Sequence, residues 1–187
     1  GDRTTGATMT MTWGDEADLL DELRIRRLQS AYVDAVNRRA WAEFRDLFLP
    51  DSVLEVSAGG ERADEVVGPE AIGALIGGYL EPLDFLVQVV LNARIVTRWR
   101  GDADRAAARL SIAEHRQATA TGRERHSFGT YHDEYVRVDG RWWFARRRYD
   151  RQVVTAEPDS TRDLDVLPMP ADATDLGMPG DAWGPDR

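Results

Sequence analysis

The stretch ERHSFGTYHDEYVRVDGRWWFARRRYDRQVV, residues 124–154, decides the fold. It holds two runs rich in aromatic and β-branched residues, Glu124–Val138 and Arg141–Val154, on either side of Asp139-Gly140. Asp-Gly adopts the left-handed backbone of a two-residue hairpin turn at little cost, so the runs read as antiparallel neighbours. Further back, Phe85–Arg100 and Arg105–Thr119 have the same character, with Gly101-Asp102 and Thr121-Gly122 as turns. Four long strands in succession make an antiparallel meander.

Before Pro82 the period changes. Between Glu16 and Asn37 apolar residues fall at Leu20, Leu23, Ile25, Leu28, Ala31, Tyr32, Ala35 and Val36, which is helical spacing. A second short helix fits Trp41–Phe48, ended by Pro50-Asp51. Ser52–Ser57 reads as a short strand followed by the turn Ala58-Gly59-Gly60. In Gly68-Pro69-Glu70-Ala71-Ile72 the proline stands where a helix starts, so Pro69–Leu80 is a third helix. Helices followed by a meander give an α+β domain, with the helices over one face of a curved sheet and room for a ligand between the layers.

At 187 residues and 21.0 kDa the chain suits one domain with a full core. Residues 1–15 read as a flexible N-terminal segment, 16–155 as the domain, and 156–187 as an acidic, proline-rich tail, either irregular or anchored on the domain by residues such as Met178 and Trp183. No apolar run is long enough to span a bilayer, and the first residues lack the basic end and apolar centre of a signal peptide. The expected location is cytoplasmic.

Two absences narrow the chemistry. There is no cysteine, which removes disulfides, thiolate nucleophiles and iron–sulfur clusters. All 24 basic residues are arginine, which removes Schiff-base catalysis and the phosphate-loop lysine, and which fits the codon bias of a GC-rich genome. A net charge of −9 argues against nucleic acid as a partner.

Period two in Arg105–Thr119 puts Ala106, Ala108, Leu110, Ile112 and Glu114 on one face, and Arg105, Ala107, Arg109, Ser111, Ala113, His115 and Gln117 on the other. The first is the core face, and it ends in a carboxylate, a candidate proton carrier. A bulge would flip the register and put His115 in its place. In the last strand Arg147 shares a face with Trp143 and Ala145 by simple alternation, making it the expected partner of an interior anion, while Trp142, Trp143 and Phe144 read as core. His115, His126 and His132 have no metal-ligand spacing, so no metal and no cofactor are expected.

Four segments carry a family resemblance: LQSAYVDAVNRRAWAEFRDLFLPD (28–51), GPEAI (68–72), VQVVLNARIV (87–96) and GTYHDEYVRVDGRWWFARR (129–147). Together they resemble a SnoaL-like domain of the nuclear transport factor 2-like superfamily, over about Asp21 to Val153. The resemblance implies a cone-shaped α+β barrel, three N-terminal helices over a strongly curved, mainly antiparallel sheet, and a homodimer through the outer sheet face. Dehydratases of that superfamily use a Tyr and an Asp five residues apart on the first helix; the matching positions are Tyr32 and Asn37. They also use a His four residues before an Asn on the first long strand; the match is Gln88, before Asn92. Glu114 matches a further acid, and Arg147 a last-strand arginine. Trp41, Leu54, Tyr79, Leu83 and Tyr131 match positions that line the family's pocket.

Asn37 cannot accept a proton as Asp does, and Gln88 cannot act as a histidine base. What the residues and the resemblance together lead one to expect is a cofactor-independent cyclase, isomerase or lyase. It would act on a small hydrophobic, polyketide- or terpenoid-like metabolite, with Glu114 as general acid–base. A non-catalytic binding protein that has lost its Asp–His pair is the alternative, and the small subunit of a ring-hydroxylating dioxygenase stands third.

Overall fold

The computed structural model describes residues 15–58, 64–155 and 164–166. The expected N-terminal segment, apart from Asp15, and most of the expected tail, Met178 and Trp183 included, lie outside the described residues.

Helix α1 spans Glu16–Arg38. The Asp15 side chain accepts from the Asp18 N–H at 2.9 Å and caps its start, while Arg39, with φ 58°, ends it in the left-handed region. Ile25, Leu28, Tyr32, Ala35 and Val36 form its buried face. Leu20 and Leu23, expected on that face, are exposed. A 3-10 helix, Trp41–Asp46, stands where a helix to Phe48 was expected. Pro50-Asp51 does not break the chain but lies inside β1, Phe48–Ala58. The ladder between this strand and its neighbour pauses between Phe48 and Val53, so the proline needs no ladder N–H there. The short edge strand β2, Asp64–Val67, was not foreseen; Gly68, with φ 87°, then leads into α2, Pro69–Leu80, at the expected bounds.

The meander follows as β3 Leu83–Thr97, β4 Arg105–Ala118, β5 Glu124–Val138 and β6 Arg141–Thr155, with a short β7 at Leu164–Val166 inside the segment expected to be irregular. Asp139 and Gly140 both take positive φ at the β5–β6 turn, as a two-residue hairpin requires. The sheet order is β2-β1-β6-β5-β4-β3, with β7 paired to the end of β6. All neighbours are antiparallel except β1 with β6. This is the expected α+β cone, helices on one side of a curved, open sheet.

Between the layers, the rings of Tyr32, Phe44, Phe48 and Phe144 contact one another at centroid distances of 4.9–5.9 Å. Burying each such side chain contributes about 1.5–3 kcal/mol, and this cluster holds α1 and the 3-10 helix on the sheet. Asp21 fastens the other end of α1, accepting from Trp142 Nε1 at 3.0 Å and from Arg137 at 2.8 Å.

Strands β4 and β5 pair without a slip, whereas β3 and β6 each carry extra residues. In β6, Phe144 pairs with Tyr135 and Arg146 with Glu134, leaving Ala145 as a bulge. Alternation restarts after it, so Arg147 shares its face with Phe144 rather than with Trp143 and Ala145. Trp143 is half-buried and carries the Arg141 guanidinium 4.2 Å from its ring centre, so it is not core.

Candidate active site

A cavity of about 470 Å³ opens between the helices and the concave face of the sheet. Its apolar wall comes from Val36 of α1, Leu54 and Val56 of β1, Ile76 and Leu80 of α2, and Leu83 and Leu86 of β3. Among its polar lining residues, Gln88 from β3, Glu114 from β4, Tyr131 from β5 and Tyr149 from β6 come from four adjacent strands.

These four are bonded to one another. Glu114 Oε1 accepts from Gln88 Nε2 at 2.9 Å, and Oε2 accepts from Ser127 Oγ at 2.8 Å and from the Tyr149 hydroxyl at 3.1 Å. Gln88 Nε2 also donates to the Tyr131 hydroxyl at 2.9 Å, while Gln88 Oε1 is buried with no hydrogen-bond partner among the described residues. Register explains the convergence. Gln88 pairs with Glu114 and Glu114 with Ser127, so all three side chains share the inner face. Tyr149 reaches them across Gly129, where any Cβ would run into the tyrosine ring.

Burial pushes the Tyr131 and Tyr149 hydroxyls well above the usual phenol range, and the charge of Glu114 adds to the effect on both. Burial also raises Tyr32, against the pull of Arg147. At neutral pH these tyrosines therefore stay protonated and serve as hydrogen-bond donors, not bases. A carboxylate has about four lone-pair positions. Three of those on Glu114 are used, and all three donors are neutral.

Beneath this network lies a second one, closed off from the cavity. Arg147 and Asp133 are fully buried and form a two-pronged pair, Nε to Oδ1 at 2.7 Å and Nη2 to Oδ2 at 2.6 Å. The Tyr135 hydroxyl donates to Asp133 at 2.5 Å and accepts from Gln29 at 2.8 Å. The faces of Tyr32, Tyr131 and Phe144 sit 4.0, 4.0 and 4.3 Å from the guanidinium.

Of the residues singled out in the sequence, Glu114, Tyr32, Gln88, Leu54, Tyr79, Leu83 and Tyr131 line the cavity. Glu114, not His115, faces inward; His115 points outward and its ring lies against that of His126. Four placements are corrected. Asn37 touches no cavity space, because its carboxamide is bonded to the Gln88 main chain, donating to the carbonyl at 3.0 Å and accepting from the N–H at 2.8 Å. Arg147 is not a lining residue; its interior anion is Asp133. Trp41 borders a separate shallow depression with Gly73 and Gly77. Asn92 is exposed, because a bulge between Val90 and Asn92 turns it away from the face of Gln88. Tyr149, Ser127, Arg116 and Arg151 were missed. Arg116 was readable, two residues beyond Glu114 on an unbroken strand, and Ser127 follows from the unslipped β4–β5 register; Tyr149 and Arg151 required the β6 bulges to be known.

A helix-capped, cone-shaped sheet around a cavity with one central carboxylate defines a domain of the α+β class. The chain belongs to the SnoaL-like domain family, whose profile matches residues 17–148. Among solved structures it is similar to a candidate scytalone dehydratase from Novosphingobium aromaticivorans, at 22% identity and TM-score 0.64, over 81% of this chain and 95% of that one. It is also similar to the hexachlorocyclohexane dehydrochlorinase LinA-type3 from Novosphingobium barchaimii, at 18% identity and TM-score 0.66, over 79% and 97%. A candidate aromatic ring hydroxylase from Novosphingobium aromaticivorans matches at 21% identity and TM-score 0.62, over 80% and 94%. None of the curated proteins matches the sequence. These likenesses establish a shared fold, and the fold hosts different reactions. Among the described residues no helix is long and apolar enough to cross a membrane, and no three His, Asp or Glu side chains are grouped to hold a metal ion.

Proposed function

We propose that this chain is a cyclase, isomerase or lyase that works by general acid–base catalysis, without a cofactor, on a small metabolite with an apolar polyketide- or terpenoid-like body. The reading goes with a cytoplasmic homodimer in natural-product metabolism. The observation that carries it is the state of Glu114: a cavity-facing carboxylate held by three neutral donors and, among the described residues, by no arginine. A structural carboxylate in an arginine-rich chain would be expected to sit in an ion pair, as Asp133 does. Glu114 takes a proton from a substrate carbon beside a carbonyl, or from a hydroxyl, and returns it at the end of the reaction. The Tyr149 and Ser127 hydroxyls fix the carboxylate, and Gln88 Oε1 accepts a substrate hydroxyl. Tyr32 and Tyr131 close the polar end of the pocket.

Replacing Glu114 by Gln keeps shape and removes the base. Turnover of candidate metabolites should fall by about 10²–10⁴-fold with the thermal midpoint almost unchanged. A well-folded Glu114→Gln protein that still turns over substrate would end this mechanism. The use of both Asn37 side-chain atoms on main chain favours a second reading, binding without turnover. Product analysis after incubation, rather than a thermal shift alone, separates the two.

A further inference from the structure

We infer that the substrate is an anion, and that its carboxylate is bound by Arg116 and Arg151; this rests on the reading of the cavity as the substrate site. Arg116 follows Glu114 by two residues on the unslipped strand β4, and Arg151 follows Tyr149 by two on β6, ahead of the bulge at Gln152. Both therefore face inward, and both line the cavity.

The other arginines of the inner layers and helix faces are in several cases matched to acids, Arg147 to Asp133, Arg146 to Glu55, Arg137 to Asp21 and Asp104, and Arg38 to Asp34 and Glu43, while Arg39 and Arg141 donate to main-chain carbonyls. Among the described residues neither Arg116 nor Arg151 has a hydrogen bond or ion pair, and Arg151 Nε is buried with no acceptor. The chain carries a net charge of −9, so acids to pair with are plentiful. The two carboxylates that do line the cavity are otherwise engaged: Glu114 with its three neutral donors, and Asp64 with the Tyr79 hydroxyl. Guanidinium groups partly withdrawn from water and left without a counter-charge are costly unless a ligand supplies one. A carboxylate does so with two parallel N–H···O bonds to each fork. Such a substrate has an apolar body against Val36, Leu54 and Ile76, its reacting atom at Glu114, and its carboxylate at the arginines.

The test is calorimetric titration of the full chain with two probes of one shape, 2-naphthoate and 2-naphthamide. The expected result is roughly tenfold or tighter binding of the carboxylate, a difference that shrinks with added salt and vanishes in Arg116→Gln/Arg151→Gln, with each single variant intermediate. Equal binding of the two probes by the parent overturns the inference, as does discrimination that survives in a folded double variant. Binding of neither probe overturns it together with the cavity reading on which it rests. The Glu114→Gln protein should keep the preference, so a failure of the catalytic proposal leaves this result standing and can be told apart from it.

Discussion

The inner face of the sheet carries two polar networks a few residues apart, built on opposite plans. Around Arg147 and Asp133 both charges are fully buried, the pairing is two-pronged, and three aromatic faces surround the cation. Around Glu114 the carboxylate is half-buried, its donors are neutral, and among the described residues the nearby cations Arg116 and Arg151 are in no ion pair. A closed network locks strands β5 and β6 under α1. The open one lines the cavity, where the proposed function places a ligand.

The sharpest way to break the comparison is to remove one partner of the closed pair. Arg147→Met leaves the Asp133 charge in the core without compensation, which should cost about 3–5 kcal/mol in urea unfolding. Adding Asp133→Leu should recover much of that, because an apolar pair of similar volume carries no desolvation penalty. Glu114→Gln, by contrast, should shift stability by no more than about 1 kcal/mol, since its surroundings are neutral and partly wet. If the two single variants destabilised the protein equally, the division into structural and functional networks would fail.

A smaller effect is expected where the open network is braced. Strand β3 is an edge of the sheet, and the Asn37 carboxamide covers that edge at Gln88. Asn37→Asp would restore the residue type that the superfamily's dehydratases carry, yet here it keeps the acceptor for the Gln88 N–H and turns the donor into a second acceptor facing the Gln88 carbonyl. Destabilisation of about 1–3 kcal/mol is expected. Turnover should not rise, since an acid at 37 points at main chain rather than into the cavity. A gain in activity would restore Asn37 to the site as a lost acid.

How far this was readable in the sequence follows from where the strands slip. In β4 strict alternation held: Ala106, Ala108, Leu110 and Ile112 are all fully buried, and Glu114 continues their face into the cavity. In β3 the bulge before Asn92 sent a residue chosen by counting from Gln88 to the outside. In β6 the bulge at Ala145 gave Arg147 its interior place for a reason opposite to the one alternation supplied. The same bulge aims Tyr149 and Arg151 inward. A bulge has no composition of its own; the pairing partner creates it, so a single strand read alone cannot reveal it. Helix α2 was legible to its ends because Gly68-Pro69 is a local signal. Strand β2 was not, being four residues on an edge with no apolar alternation.

The outer face of the same strands offers the mildest test, because it too holds a charged cluster, and one with a titrating member. His132 of β5 is nearly buried, 3.6 Å from Asp150, which Arg148 also holds at 3.0 Å. Burial pushes the His132 imidazole below its ordinary value near 6.5, and the charges of Arg148 and Arg109 act the same way; Asp150 and Asp133 pull against it but do not win. The folded protein thus binds this proton less readily than the unfolded chain. As pH falls through about 6.5 the unfolded state takes up more protons, so the histidine withdraws stability on acidification and none at pH 8. His132→Asn should therefore unfold at a urea midpoint that falls less between pH 7.5 and pH 5.5 than the parent's does. His115 and His126 are present in both proteins, so whatever they contribute cancels in the difference. A steeper fall in the variant would mean that Asp150 governs the imidazole, and that His132 and Asp150 form an ion pair as Arg147 and Asp133 do, instead of a contact forced by packing.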